Sequence, residues 1–242
     1  MTEENISAEQ PTLGVWQRIK GAVFSPVATF QDVAAHPRFA GGALAICGIN
    51  LALTLLIAPK IKDFTRYSLS NNPNIASDQA AAVQNIAATS AVVSAAVMSV
   101  IGPFVLWLVY ATILKVINFF SGERTPFSTL YAIATFAYVP ALLGGLVGAF
   151  LILSAPVENF TSVTVSLAAI LPTPENLQSP GPLYLFLSKI NPFTIWSLAL
   201  LSLGGALAMK TGTRVVATGV FGTWLVYITG YVVLISAFSP LA

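Results

Sequence analysis

His36 is the only imidazole in the chain and Cys47 the only thiol, and nine carboxylates complete the groups that could do acid–base, nucleophilic or metal chemistry. Catalysis needs a nucleophile beside a base, paired carboxylates, or clustered metal ligands. Three of the carboxylates, Glu3, Glu4 and Glu9, fall in the polar start of the chain. The others, Asp32, Asp63, Asp78, Glu123, Glu158 and Glu175, are spread over separate loops and helix ends. His36 lies where a surface helix should end, and there a cation is favoured by the helix macrodipole. Cys47 sits inside an apolar block and has no partner for an internal disulfide, so it says nothing of redox compartment. No Gly-rich phosphate loop or nucleotide fingerprint occurs. No catalytic residue, cofactor or metal site is therefore expected.

The elements that would hold such groups are apolar. Of 242 residues 56% are hydrophobic and 8% charged, against about 25% charged in soluble domains. Mean hydropathy is +0.80. The net charge of +2 gives no footprint for nucleic acid. No charged residue separates Asp78 from Lys115, or Arg124 from Glu158. A helix crosses a bilayer core of about 30 Å with about 20 apolar residues. The chain thus reads as all-α and polytopic. Five transmembrane helices are expected at about 39–59, 88–117, 127–154, 191–209 and 214–238. The run from Asn159 to Pro174 is too short to span and reads as a surface helix. The second span should project beyond the lipid through its Ala-, Ser- and Asn-rich start. Two longer loops, from Lys60 to about Ser77 and from Ala155 to Lys189, should share that side.

Residues 1–12 read as disordered, and residues 13–38 as cytosolic interfacial helices. Trp16, Ile19 and Val23 share one helical face, with Arg18 and Lys20 off it. Ser25-Pro26 starts a second helix, with serine as N-cap and proline at N1. His36-Pro37 ends it. Trp16, Arg18, Lys20, Phe24 and Phe30 are the expected interfacial anchors. No signal peptide is visible, which places the start of the chain in the cytosol. With that orientation Arg18, Lys20, Arg38, Lys115, Arg124, Lys210 and Arg214 face inward. Lys60, Lys62, Arg66 and Lys189 face outward. The positive-inside rule then agrees, and the C-terminus lies on the opposite side of an inner, or cell, membrane.

Within the spans Lys115 lies near a helix end and can snorkel to the headgroups. Hydroxyls such as Tyr110, Thr135, Tyr138, Thr223 and Tyr227 read as interhelical hydrogen-bonding groups. Gly144 with Gly148, and Gly204-Gly205 with Ala208, let backbones approach closely. Pro103 and Pro140 each remove a backbone donor and predict kinks.

Three stretches together resemble the Yip1 family of multi-pass membrane proteins, in particular its bacterial branch. They are Phe24-Ser25-Pro26-Val27-Ala28-Thr29-Phe30 with Gln31-Asp32, then Phe127-Ser128-Thr129-Leu130-Tyr131 leading to Ala137-Tyr138-Val139-Pro140, and Ile190-Asn191-Pro192-Phe193-Thr194-Ile195-Trp196. The resemblance implies five spans, a cytosolic N-terminus and a Yip1-like domain over residues 39–242. Eukaryotic relatives act in vesicle traffic with Rab-type GTPases, but their Asp-Leu-Tyr-Gly-Pro segment has no counterpart here. The expectation is a non-enzymatic membrane protein that binds partners or organises membrane. Its partners would be the lipid bilayer and a second copy or another membrane protein, with no nucleic acid and no metal. The alternatives are a permease or channel for a small neutral or lipid-like solute and, less favoured, a membrane enzyme.

Overall fold

The computed structural model describes residues 12–70, 80–121, 124–174 and 180–238. The expected loose start falls almost wholly outside the described residues, as do Asp78, Glu123 and Glu175. Among the described residues the chain is helical throughout, without strands.

Two short helices open it. Helix α1 (Val15–Phe24) and helix α2 (Pro26–Ala35) fold back on each other about Ser25. Pro26 takes the first helical position, where no backbone donor is needed. His36, before Pro37, is pushed out of the helical region and closes α2.

Helices α3 (Ala40–Ser70) and α4 (Ala80–Ser121) form a long antiparallel pair of 31 and 42 residues. At 1.5 Å per residue these are about 46 and 63 Å long, against a bilayer core of about 30 Å. Both therefore project beyond the lipid on the face away from α1 and α2. The sequence reading ended the first span at Pro59 and made Lys60 onward a loop. Instead α3 runs through Pro59 to Ser70. Proline removes one intrahelical hydrogen bond, but the continuation is fastened from outside. Arg66 Nη2 donates to Asn85 Oδ1 of α4 at 3.1 Å. Phe64 stacks on Phe160 with centroids 4.7 Å apart.

The third span is two helices, α5 (Phe127–Ala137) and α6 (Val139–Ser154), broken at Tyr138. Pro140 sits in the first turn of α6. The freed backbone N–H of Ala141 donates to Ser197 Oγ at 3.2 Å, so the interruption is satisfied inside the lipid. Pro103, by contrast, lies within an uninterrupted α4.

The surface helix expected over 159–174 is absent. In its place are two 3₁₀ turns, Val157–Asn159 and Leu167–Ile170. Its Ser and Thr side chains bond to local backbone instead, as Ser162 Oγ does to the Asn159 carbonyl at 2.8 Å. Helix α7 (Pro182–Lys189), in a stretch read as loop, precedes α8 (Pro192–Ala208) with a 51° bend between them. Helix α9 (Thr213–Phe238) ends the described chain.

Helices α3, α4, α5 with α6, and α9 are long and apolar enough to cross a membrane; α7 and α8 together pass the same test and make a fifth, bent crossing if the pair is one span. Its 17-residue main segment is short but central: Ser197, Leu198, Leu201, Ser202, Gly204 and Gly205 are all buried. Helices α4 and α9 turn most of their surface to lipid. The packed centre holds Phe30, Trp107, Leu114, Ile133, Phe136, Leu201 and Met209 without exposed surface. Trp107 meets Phe104, Tyr131 and Tyr138 edge-on, a favoured arrangement of aromatic quadrupoles.

Candidate functional site

Three places gather polar groups or open space: the α1–α2 cap, the turn at Thr125, and cavities beside α4.

The cap is built around Arg18, only 2% exposed. Its Nε donates to Asp32 Oδ2 at 2.7 Å. Nη1 and Nη2 donate to the carbonyls of Arg38 and His36, each at 3.0 Å. The backbone N–H of Leu13 donates to Asp32 Oδ1 at 3.2 Å. The guanidinium lies over the Phe136 ring, 5.7 Å from its centroid. A buried charge is tolerable only when paired and hydrogen-bonded, and every nitrogen here has a partner. One residue thus joins α1, α2, the entry to α3, and α5.

This corrects two expected interfacial anchors. Arg18 is a buried tie rather than a headgroup contact. Phe30 is fully buried, with Gly204 of α8 directly opposite. A Cβ at Gly204 would lie 2.6 Å from Phe30 Cδ1 and 2.7 Å from Ile133 Cγ2. Trp16 and Phe24, by contrast, are 61% and 83% exposed, and Lys20 is exposed as well. These three lie on the surface of the hairpin.

His36 and Asp32 meet in the same cap, with Nδ1 3.5 Å from Oδ1. The spacing resembles a base and its orienting carboxylate. Asp32 is already committed to Arg18 and Leu13, however, and among the described residues His36 bonds to no hydroxyl or thiol. The pair ties the end of α2 to the cap. Among the described residues no three His, Cys, Asp or Glu side chains group to hold a metal.

At the same face of the bundle, Lys115 Nζ donates to the Thr125 carbonyl at 2.9 Å, so this lysine caps a turn as well as lying near a helix end. Asn118 Oδ1 accepts from Thr125 N at 3.2 Å, and Thr125 Oγ1 donates to the Ala208 carbonyl at 3.2 Å. The end of α4, the start of α5 and the end of α8 are tied together here. Lys210, just past α8, has φ 48°, the left-handed conformation usually given to glycine.

The flagged glycines separate into two kinds. At Gly144 a Cβ would come within 2.9 Å of Phe193, and at Gly205 within 2.7 Å of Leu114. Around Gly148 there is nothing within 4 Å, so it is not a close-approach position. It lines a cavity of about 450 Å³ between α3, α4 and α6, with Asn50, Ser99, Pro103 and Tyr138. A second cavity, about 680 Å³, follows along the same face of α4, shares Leu106 with the first and is closed by α8 and α9. The sequence reads Tyr110, Thr223 and Tyr227 as interhelical hydrogen-bonding groups, and all three line this space. Sequence reasoning missed Ser197 and Asp32 as partners.

Comparison with known proteins accords with this architecture. The chain is similar to the membrane protein YknW of Bacillus subtilis (strain 168), 24% identical over 245 residues, covering 99% of this chain and 96% of the relative. No solved structure matches. The profile of the Yip1 domain matches residues 20–236, from within α1 almost to the end of α9. The crossings and α2 fall together inside that one match, and the chain belongs to the Yip1 family.

Proposed function

We propose that the protein is a non-enzymatic membrane protein that binds a partner through the arm made by the far ends of α3 and α4. The observation that supports this reading is a long pair of helices, exceeding the thickness of the lipid, that leaves apolar side chains uncovered. Ile86 is 69% exposed, and Val83 and Tyr67 are exposed too. The Arg66–Asn85 bond and the Phe64–Phe160 stack hold the arm in place. Uncovered apolar surface outside lipid is the usual mark of an interaction site. The partner is another membrane protein or a second copy of the chain.

Permeation of a small neutral or lipid-like solute is less well supported. The half of the bundle nearest the cap is filled by Phe30, Ile133, Leu114 and Leu201, each fully buried. In the proposed orientation the cap is cytosolic in a cell membrane and the arm points to the other side. Seven of the eleven Lys and Arg residues then lie inward.

The test is a photo-crosslinking residue at Ile86 or Val83, irradiated in cells at native expression. A discrete adduct carrying one partner, or a second copy, is expected. Absence of adducts from both positions, with a monomer on gentle extraction, would discard the reading.

A further inference from the structure

The 680 Å³ cavity beside α4 combines an apolar body with a cationic end. Its size falls in the range of about 300–1,000 Å³ common for ligand sites. Leu106, Val109 and Ile113 of α4 form one wall, Leu198 and Leu201 of α8 another, and Val220, Thr223 and Tyr227 of α9 the third. Val109 and Tyr227 are themselves exposed, so the space opens sideways to lipid. Along α8 it extends from Asn191 to Leu201, about 15 Å at the helical rise.

Lys189, at the end of α7, stands at one end of this space. Its Nζ lies 4.0 Å from the centroid of the Tyr231 ring, which orients the ammonium. Among the described residues no carboxylate pairs with it. Ser188 and Asn191 flank it. Asn191 Oδ1 accepts from the Phe193 backbone N–H at 2.8 Å, which leaves its amide donors available. The joint between α7 and α8 lies at the end of the bundle opposite the cap, where the Ile190 carbonyl accepts from Leu167 N–H of the segment after α6. A cation and two polar groups at that end, continued by an apolar slot into the bilayer, match a negatively charged amphiphile.

We propose that this cavity binds one anionic phospholipid, with its phosphate at Lys189 and one acyl chain lying along α8 between α4 and α9. The inference stands apart from the arm reading, since it uses neither α3 nor the projecting part of α4.

The test uses the purified full-length protein and native mass spectrometry with phosphatidylglycerol and phosphatidylcholine at equal concentration. One phosphatidylglycerol should be retained at least fivefold over phosphatidylcholine. Lys189→Gln should abolish that preference, and Lys189→Arg should keep it. Thr223→Phe, which fills the slot from α9, should lower retention of both lipids. Millimolar inorganic phosphate should not displace the bound lipid, because the acyl chain holds it. A phosphatidylglycerol with a diazirine at its chain end should label cavity-lining positions, Leu106, Tyr110 and Ile113 of α4 or Val220, Thr223 and Tyr227 of α9. The proposal is overturned by equal retention of the two lipids in the unaltered protein. It is equally overturned by displacement with phosphate alone, or by labelling confined to lipid-facing positions outside the cavity such as Val226 and Leu234. The labelling needs no substitution, so a variant that fails to fold does not remove the test.

Discussion

Arg18 and Asp32 stand equally far from Ser25 in sequence, seven residues either side, and a hairpin pivoting at Ser25 must bring them face to face. Removing one partner of a buried pair leaves an uncompensated charge, at a cost of about 3–5 kcal/mol. Arg18→Gln should therefore lower thermal stability in detergent by about that amount, and Trp16→Ala should leave it nearly unchanged. A similarly small effect for both would detach the cap from the bundle's stability. The glycines give a matched comparison. Gly204→Val must displace Phe30 or Ile133 and should destabilise by about 1–3 kcal/mol. Gly148→Ala meets open space and should stay within about 0.5 kcal/mol of the parent. Spacing alone could not separate these two glycines, because GxxxG spacing marks a face and not what lies opposite it. The buried fate of Arg18 was legible from the Ser25 pivot, once α1 and α2 are read as one hairpin and not as two independent surface helices.

Charge-free runs located the crossings well, since lipid excludes ionised groups whatever the neighbours are. Ends were harder. Helix α3 passes through Pro59 because α4 and Phe160 support the continuation, and such support comes from distant sequence. Helix α7 had a local signal that went unused: Gly181-Pro182 as a start and Lys189 in the last turn. The break at Tyr138 was foreshadowed by Pro140, but its partner was not. Ser197 is 56 residues away and bonds the Ala141 N–H. Ser197→Ala should cost about 1 kcal/mol and raise hydrogen exchange around Ala141; unchanged exchange there would mean that another group satisfies the break. At the end of α8, Lys210→Gly should stabilise by about 1 kcal/mol, since glycine adopts φ 48° without strain. An unfolding midpoint at or below that of the parent would count against a strained left-handed lysine.

As a whole the molecule is a lipid-embedded bundle closed at one face by a docked helical hairpin and extended at the other by an arm. The cap seals through Phe30 against α8 and Arg18 against the chain entering α3. Because α8 starts beside the far-face segment, where Leu167 N–H donates to the Ile190 carbonyl at 2.9 Å, and ends at Thr125, it must cross although it is short. Opposite placement of the cap and of the arm needs only the crossing of α3, which runs from one to the other. Cysteine accessibility tests this most directly. In a Cys47→Ser background, Gln17→Cys and Lys210→Cys report the cap face, and Ser70→Cys and Leu183→Cys the arm face. With a membrane-impermeant maleimide on intact cells, Ser70→Cys and Leu183→Cys should react at once, and Gln17→Cys and Lys210→Cys only after the membrane is opened. Reaction of Gln17→Cys and Ser70→Cys from the same side would contradict the account.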